Sequence, residues 1–151
     1  MKTCLGVILL AVTLSAAVVA QMSPNSPAVG TWKLNLAKSK FNPGPPPKNI
    51  TVTIAPDGKV TVNETTAEGK DTNFSFAPSE GKPVTIDGMD GTTVSEKRID
   101  DRVTEHTWTT GSTTMHGRAV ISADGKIMRY TLTGTRADGK PVHNSEFYEK
   151  Q

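Results

Sequence analysis

Residues 49–62 read NITVTIAPDGKVTV, and this stretch decides the fold. Ile50, Val52 and Ile54 alternate with Asn49, Thr51 and Thr53. After Pro56, Asp57 and Gly58 the alternation resumes at Val60 and Val62. Apolar residues at every second position mark strands with one buried face. Gly58 takes the positive φ that a tight hairpin demands, and Asp57 tolerates the turn better than most residues. The stretch reads as a β-hairpin.

The same pattern extends outward in both directions. Asp-Gly-Lys returns at 124–126 and 138–140, and Glu-Gly-Lys at 68–70 and 80–82. Residues 99–102 and 110–112 are further turns. Phe74 and Phe76, then Val84 and Ile86, keep the period of two. Ten strands are expected, near 30–35, 49–55, 59–66, 71–77, 83–87, 92–99, 102–109, 112–122, 126–136 and 142–150. No segment beyond residue 20 sustains a helical period. The fold class is therefore all-β: an up-and-down antiparallel meander of about ten strands. Closing such a meander into a barrel removes its exposed edges. An open or flattened pair of sheets is the alternative.

Residues 1–20 read as a signal peptide. Lys2 gives the positive start, and residues 5–12 form an apolar run too short to span a bilayer. Val18 and Ala20 place small residues before a cut at Gln21. An N-terminal membrane anchor is the competing reading, but Thr13 and Ser15 interrupt the run. Residues 21–29 are a flexible lead-in, and 30–151 form one domain of ordinary size. The expected location is exported, periplasmic or extracellular, with no membrane span after cleavage.

Cleavage removes Cys4, the one cysteine, so neither disulfides nor thiolate metal sites are expected. Of 17 basic residues Lys2 leaves with the signal, and the remaining 16 face 15 acidic ones. That balance, with no basic stripe, excludes a broad nucleic-acid surface. The Asp-Gly-Lys repeats are hairpin tips rather than phosphate loops, because none opens a helix.

Gly30-Thr31-Trp32-Lys33-Leu34 at the start and Phe147-Tyr148-Glu149-Lys150 at the end resemble the opening and closing strands of calycins. That superfamily includes the lipocalins and the fatty-acid-binding proteins. GTWKLN followed by SKFNPGPPP is also similar to small exported lipocalin-like proteins of bacteria. The resemblance implies a barrel with Trp32 as a plug at one end and a small apolar or amphipathic ligand inside. It departs from the fatty-acid-binding branch in three ways. That branch is cytosolic, whereas this chain carries a signal. Its helical lid cannot fit into the proline-rich residues 36–48. Its anion-binding Arg, two residues before the last-strand Tyr, is replaced by Glu146.

The resemblance also implies the site residues. Tyr148 matches the family Tyr, and Arg118 resembles a second family Arg. If Arg118 faces inward, Thr114, His116 and Val120 do so too, and Tyr148 brings Glu146 with it. Arg118, Tyr148, His116, Glu146 and Tyr130 are the candidate ligand-binding residues, with an Arg118–Glu146 pair inside the barrel. A structural ion pair, or an outward face, is the competing reading.

His106 and His116 stand either side of the Gly111 turn and could oppose each other, but a zinc site needs three or four ligands. No metal and no cofactor are expected. No G-x-S-x-G is present, and Glu96, Asp100, Asp101, Glu105 and Glu146 offer only chance carboxylate pairs. The expected function is an exported small-molecule-binding protein rather than an enzyme. A packed barrel acting as a protein or envelope interaction module is the main alternative, and a lipocalin-fold enzyme a minor one. Phe74, Phe76, Met115, Met128, Tyr130 and Leu132 either pack the interior or line it.

Overall fold

A computed structural model describes residues 25–151. The expected signal peptide and the start of the lead-in lie outside the described residues. Ten strands follow in chain order: β1 (Gly30–Leu34), β2 (Asn49–Ile54), β3 (Val60–Thr65), β4 (Asp71–Phe76), β5 (Val84–Thr85), β6 (Thr92–Arg98), β7 (Val103–Thr110), β8 (Thr113–Ile121), β9 (Ile127–Thr135) and β10 (Pro141–Lys150). Their order in the sheet is β4-β3-β2-β1-β10-β9-β8-β7-β6-β5, all antiparallel neighbours. Chain order is thus preserved around the sheet, and β1 joins β10.

The remaining seam lies between β4 and the segment after β5. A single bridge crosses it: Ser75 and Asp87 exchange both backbone hydrogen bonds, at 3.0 and 2.9 Å. The barrel is nearly closed. Here the expected strand 83–87 shortens to Val84–Thr85. Gly88 explains the close approach: its φ is +87°, and a Cβ there would stand 2.3 Å from the Asn73 carbonyl oxygen.

The hairpin tips behave as their residues dictate. In the three Asp-Gly-Lys turns the Asp carboxylate accepts from the Lys backbone N–H two residues on, at 2.9 Å (Asp57) and 3.1 Å (Asp124 and Asp138). The Gly residues take φ of +86°, +69° and +79°.

One 3-10 turn, Leu36–Lys38, is the sole helical element among the described residues. Asn35 caps it, accepting from the Lys38 N–H at 3.2 Å. The chain then runs along β10 past the end of β1. Lys40 and Ser145 exchange backbone bonds at 2.7 and 2.8 Å, and the Phe147 N–H donates to Ser39 Oγ at 2.9 Å. Residues 36–48 therefore prolong the wall and form no helical lid.

Trp32 is fully buried, with Leu34, Ile121, Met128 and Tyr148 in the same cluster. Its indole N–H donates to the Ala28 carbonyl at 2.9 Å, and the Lys150 ammonium sits 5.0 Å from the ring. This end carries the β2–β3, β6–β7 and β8–β9 turns. The β3–β4, β7–β8 and β9–β10 turns mark the opposite end.

Candidate functional site

Inward-facing residues follow from pairing register. On β10 these are Val142, Asn144, Glu146 and Tyr148. Opposite them on β9 stand Gly134, Leu132, Tyr130 and Met128. On β8 the same face carries Met115, Gly117, Ala119 and Ile121, and on β7 Thr104, His106, Trp108 and Thr110. These walls do not meet across the interior. They leave a cavity of about 320 Å³, within the range of small-molecule sites. Much of its lining is apolar, including Ile50, Val52, Val62, Phe74, Phe76 and Leu132. Aromatic edges build one wall, with Phe74 and Phe76 meeting Trp108 edge-on at 6.2 and 5.6 Å between ring centres.

A polar network crosses this apolar lining. The Tyr148 hydroxyl donates to Glu146 Oε2 at 2.6 Å, and Asn144 Nδ2 donates to Glu146 Oε1 at 3.3 Å. Burial raises the Glu146 carboxyl above its ordinary range, against the lowering effect of these two bonds, and the nearby Glu64 charge adds to the rise. Burial also pushes the Tyr148 phenol well up, with the Glu146 charge contributing. The Trp108 indole N–H donates to the Tyr130 hydroxyl at 2.8 Å. Desolvation raises the Tyr130 phenol too. Beside it, His106 Nε2 lies 3.3 Å from Glu96 Oε2, and the ring stacks 6.2 Å from Trp108. His106 Nδ1 is buried and has no hydrogen-bond partner. Thr92 and Thr110 share a hydroxyl contact of 2.9 Å. Glu64, on β3, is half-buried, and burial raises its carboxyl.

The residues expected from sequence divide sharply. Glu146, Tyr148 and Tyr130 meet in the cavity wall. Arg118 and His116 lie exposed on the outer face with Thr114 and Val120. Arg118 pairs there with Glu105, so the expected Arg118–Glu146 pair does not form. The cause is one residue of register. The β7–β8 hairpin closes on Thr110↔Thr113, which sets Gly117 opposite His106 and Thr107 opposite His116. A one-residue shift moves every side chain of a strand to the other face. For the same reason His106 and His116 do not oppose each other. No group of three metal-ligating side chains occurs among the described residues.

Glu64, Thr92, Trp108 and Thr110 are cavity residues for which the sequence alone suggests no role, and it points His106 and Glu96 only to other chemistry. The signal for them is parity. Glu64 continues Val60 and Val62, and Glu96 continues Val94, each on the inward side.

Ten antiparallel strands thus form a nearly closed barrel around an apolar cavity crossed by a buried hydrogen-bond network. The same barrel occurs in two kinds of solved structure. The chain is similar to the Schistosoma mansoni fatty acid binding protein solved with arachidonic acid, at 17% identity and TM-score 0.55, covering 83% of this chain and 97% of that one. It is also similar to the fluorescent protein UnaG, at 18% identity and TM-score 0.53, covering 82% and 96%. No protein-family model matches the sequence, and no curated protein matches it. At these identities the likeness shows the fold.

Proposed function

We propose that this protein is an exported carrier that holds one small apolar or amphipathic molecule inside its barrel. The observation that carries the reading is the 320 Å³ cavity, lined by aliphatic and aromatic side chains around a few fixed polar groups. Apolar walls supply affinity, and the polar groups fix orientation. One similar barrel was solved in complex with arachidonic acid, which supports a small-molecule role for this fold here. The alternative, a packed barrel that works through its outer surface, is disfavoured by the unfilled interior. Export rests on residues 1–20, where Lys2, the short apolar run and Ala20 form the signal pattern. The intact mass of the protein recovered from its own cells tests that part: a chain beginning at Gln21 is expected, and a retained Met1 would contradict export by cleavage.

Nile red, a neutral apolar fluorophore, tests the carrier reading. Saturable one-to-one uptake is expected, with loss in a Leu132→Trp variant whose circular dichroism shows an intact fold. Leu132 lines the cavity, and a Trp there fills space a ligand needs. No uptake by the unaltered protein would overturn the reading.

A further inference from the structure

The polar groups of the cavity are strongly one-sided. Three carboxylates line it: Glu64 from β3, Glu96 from β6 and Glu146 from β10. Of the basic residues in the lining, His106 is committed to Glu96. The other, Arg102, is exposed in the β6–β7 turn at the Trp32 end. Glu64 sits on the last turn of register before the β3–β4 hairpin, at the opposite end. Ion pairs among the described residues join Lys38 to Glu149, His106 to Glu96, Arg118 to Glu105 and Lys140 to Asp138. None includes Glu64 or Glu146. Glu146 is only 6% exposed. A carboxylate so enclosed is costly unless a cation or several donors meet it.

One further polar atom of the cavity, His106 Nδ1, is buried without a hydrogen-bond partner. In the neutral imidazole, His106 Nε2–H faces Glu96, which leaves the buried Nδ1 as a lone-pair acceptor without a donor. Glu146, Glu64 and His106 Nδ1 are thus all acceptors, contributed by three strands and brought to one cavity. Tyr148 and Asn144 already donate to Glu146; Tyr130 accepts from Trp108 and keeps its own hydroxyl proton as a neutral donor, so no positive charge in this part of the cavity meets the carboxylates of Glu146 and Glu64. A carboxylate ligand would add negative charge to an interior that already holds an excess of it.

We propose, building on the carrier reading, that the cavity selects an amphipathic cation: an amine on a small apolar body, received by Glu146 and Glu64. The ammonium supplies the charge that both carboxylates lack and can donate to His106 Nδ1. The apolar body lies against Phe74, Phe76 and Val62. The titratable and charged groups facing the head are Glu64, Glu96, His106, Tyr130 and Tyr148, with Arg102 beyond them at the far end. Acidification that protonates Glu146 and Glu64 therefore weakens amine binding while sparing a neutral ligand.

The test displaces Nile red from the purified full chain at pH 7.5 with decylamine, decanol and decanoate. Charged hydrogen bonds in a buried site put the amine on the order of tenfold ahead of decanoate, with decanol between. Glu146→Gln and Glu64→Gln each narrow the amine-to-decanol ratio. Glu64 is half-buried, so its variant retains the fold even where Glu146→Gln does not. Decanoate matching or beating decylamine, or a ratio unmoved in Glu64→Gln and in every folded Glu146→Gln preparation, overturns the cation assignment while the carrier reading stands. Failure of the unaltered protein to take up Nile red overturns both.

Discussion

Glu146 and Tyr148 share the inward face of β10 and a hydrogen bond of 2.6 Å. The strand that presents Tyr148 inward also presents the residue two positions earlier, so position 146 cannot avoid the cavity. Its carboxyl is raised by burial, so the folded state holds its proton more tightly than the unfolded chain does. Stability from this group is full below the ordinary carboxylate range and is lost as pH rises through the raised value. Glu64 acts with the same sign. Urea midpoints of the ligand-free protein should therefore fall as pH climbs above that range, and Glu146→Gln should flatten the fall. A slope unchanged in the variant would show that Glu146 is not desolvated. Tyr148→Phe removes the stronger donor to that carboxylate and should cost about 1–3 kcal/mol at neutral pH. Trp32→Ala should cost about 3–5 kcal/mol, since Trp32 is fully buried. Arg118→Ala should change stability by less than about 1 kcal/mol, because its pair with Glu105 is half in solvent. Equilibrium unfolding of the three variants checks all three values.

Among the elements, alternation made the strands legible and left their relative register open. Ile50, Val52 and Ile54 announce which face of β2 is buried, and Asp57-Gly58-Lys59 announces the turn. Nothing so local says whether the β7–β8 hairpin pivots on Gly111 alone or on Gly111 and Ser112. That one residue sends Arg118 outside and Met115, Ala119 and Ile121 inside. The smaller, more apolar character of the second set was the available clue, and the resemblance to a family Arg pointed the other way. Gly117 belongs to this set for a steric reason. A Cβ there would come 1.9 Å from the Tyr130 hydroxyl, so the bond from Trp108 requires a glycine in front of it. The seam was equally illegible, because it rests on one bridge between Ser75 and Asp87 rather than on a strand pair. Gly88→Ala should open it, since the added Cβ meets the Asn73 carbonyl. Hydrogen exchange should then show lost protection at the Ser75 and Asp87 amides, with β8, β9 and β10 retaining theirs. Uniform protection in the variant would mean that the seam tolerates the side chain.

Taken as a whole molecule, the chain resolves a question that composition leaves open, namely whether a small barrel is filled or hollow. The sequence has four Phe, two Tyr and two Trp. Trp32 and Leu34 pack in one cluster with Tyr148 and Met128. Farther along the barrel Gly117, Ala119 and Thr residues face inward, and side chains of that size do not fill the space. The volume left over depends on how ten strands tilt and close, which no local pattern encodes. The absence of a helical lid over residues 36–48 was readable, because prolines in that stretch exclude two helices. Native mass spectrometry of the protein taken gently from its own cells asks whether this interior carries a small molecule. A discrete added mass that disappears on denaturation is expected, or, where the protein is recovered empty, stoichiometric Nile red binding in the same preparation. A bare chain that also refuses Nile red would contradict the carrier reading.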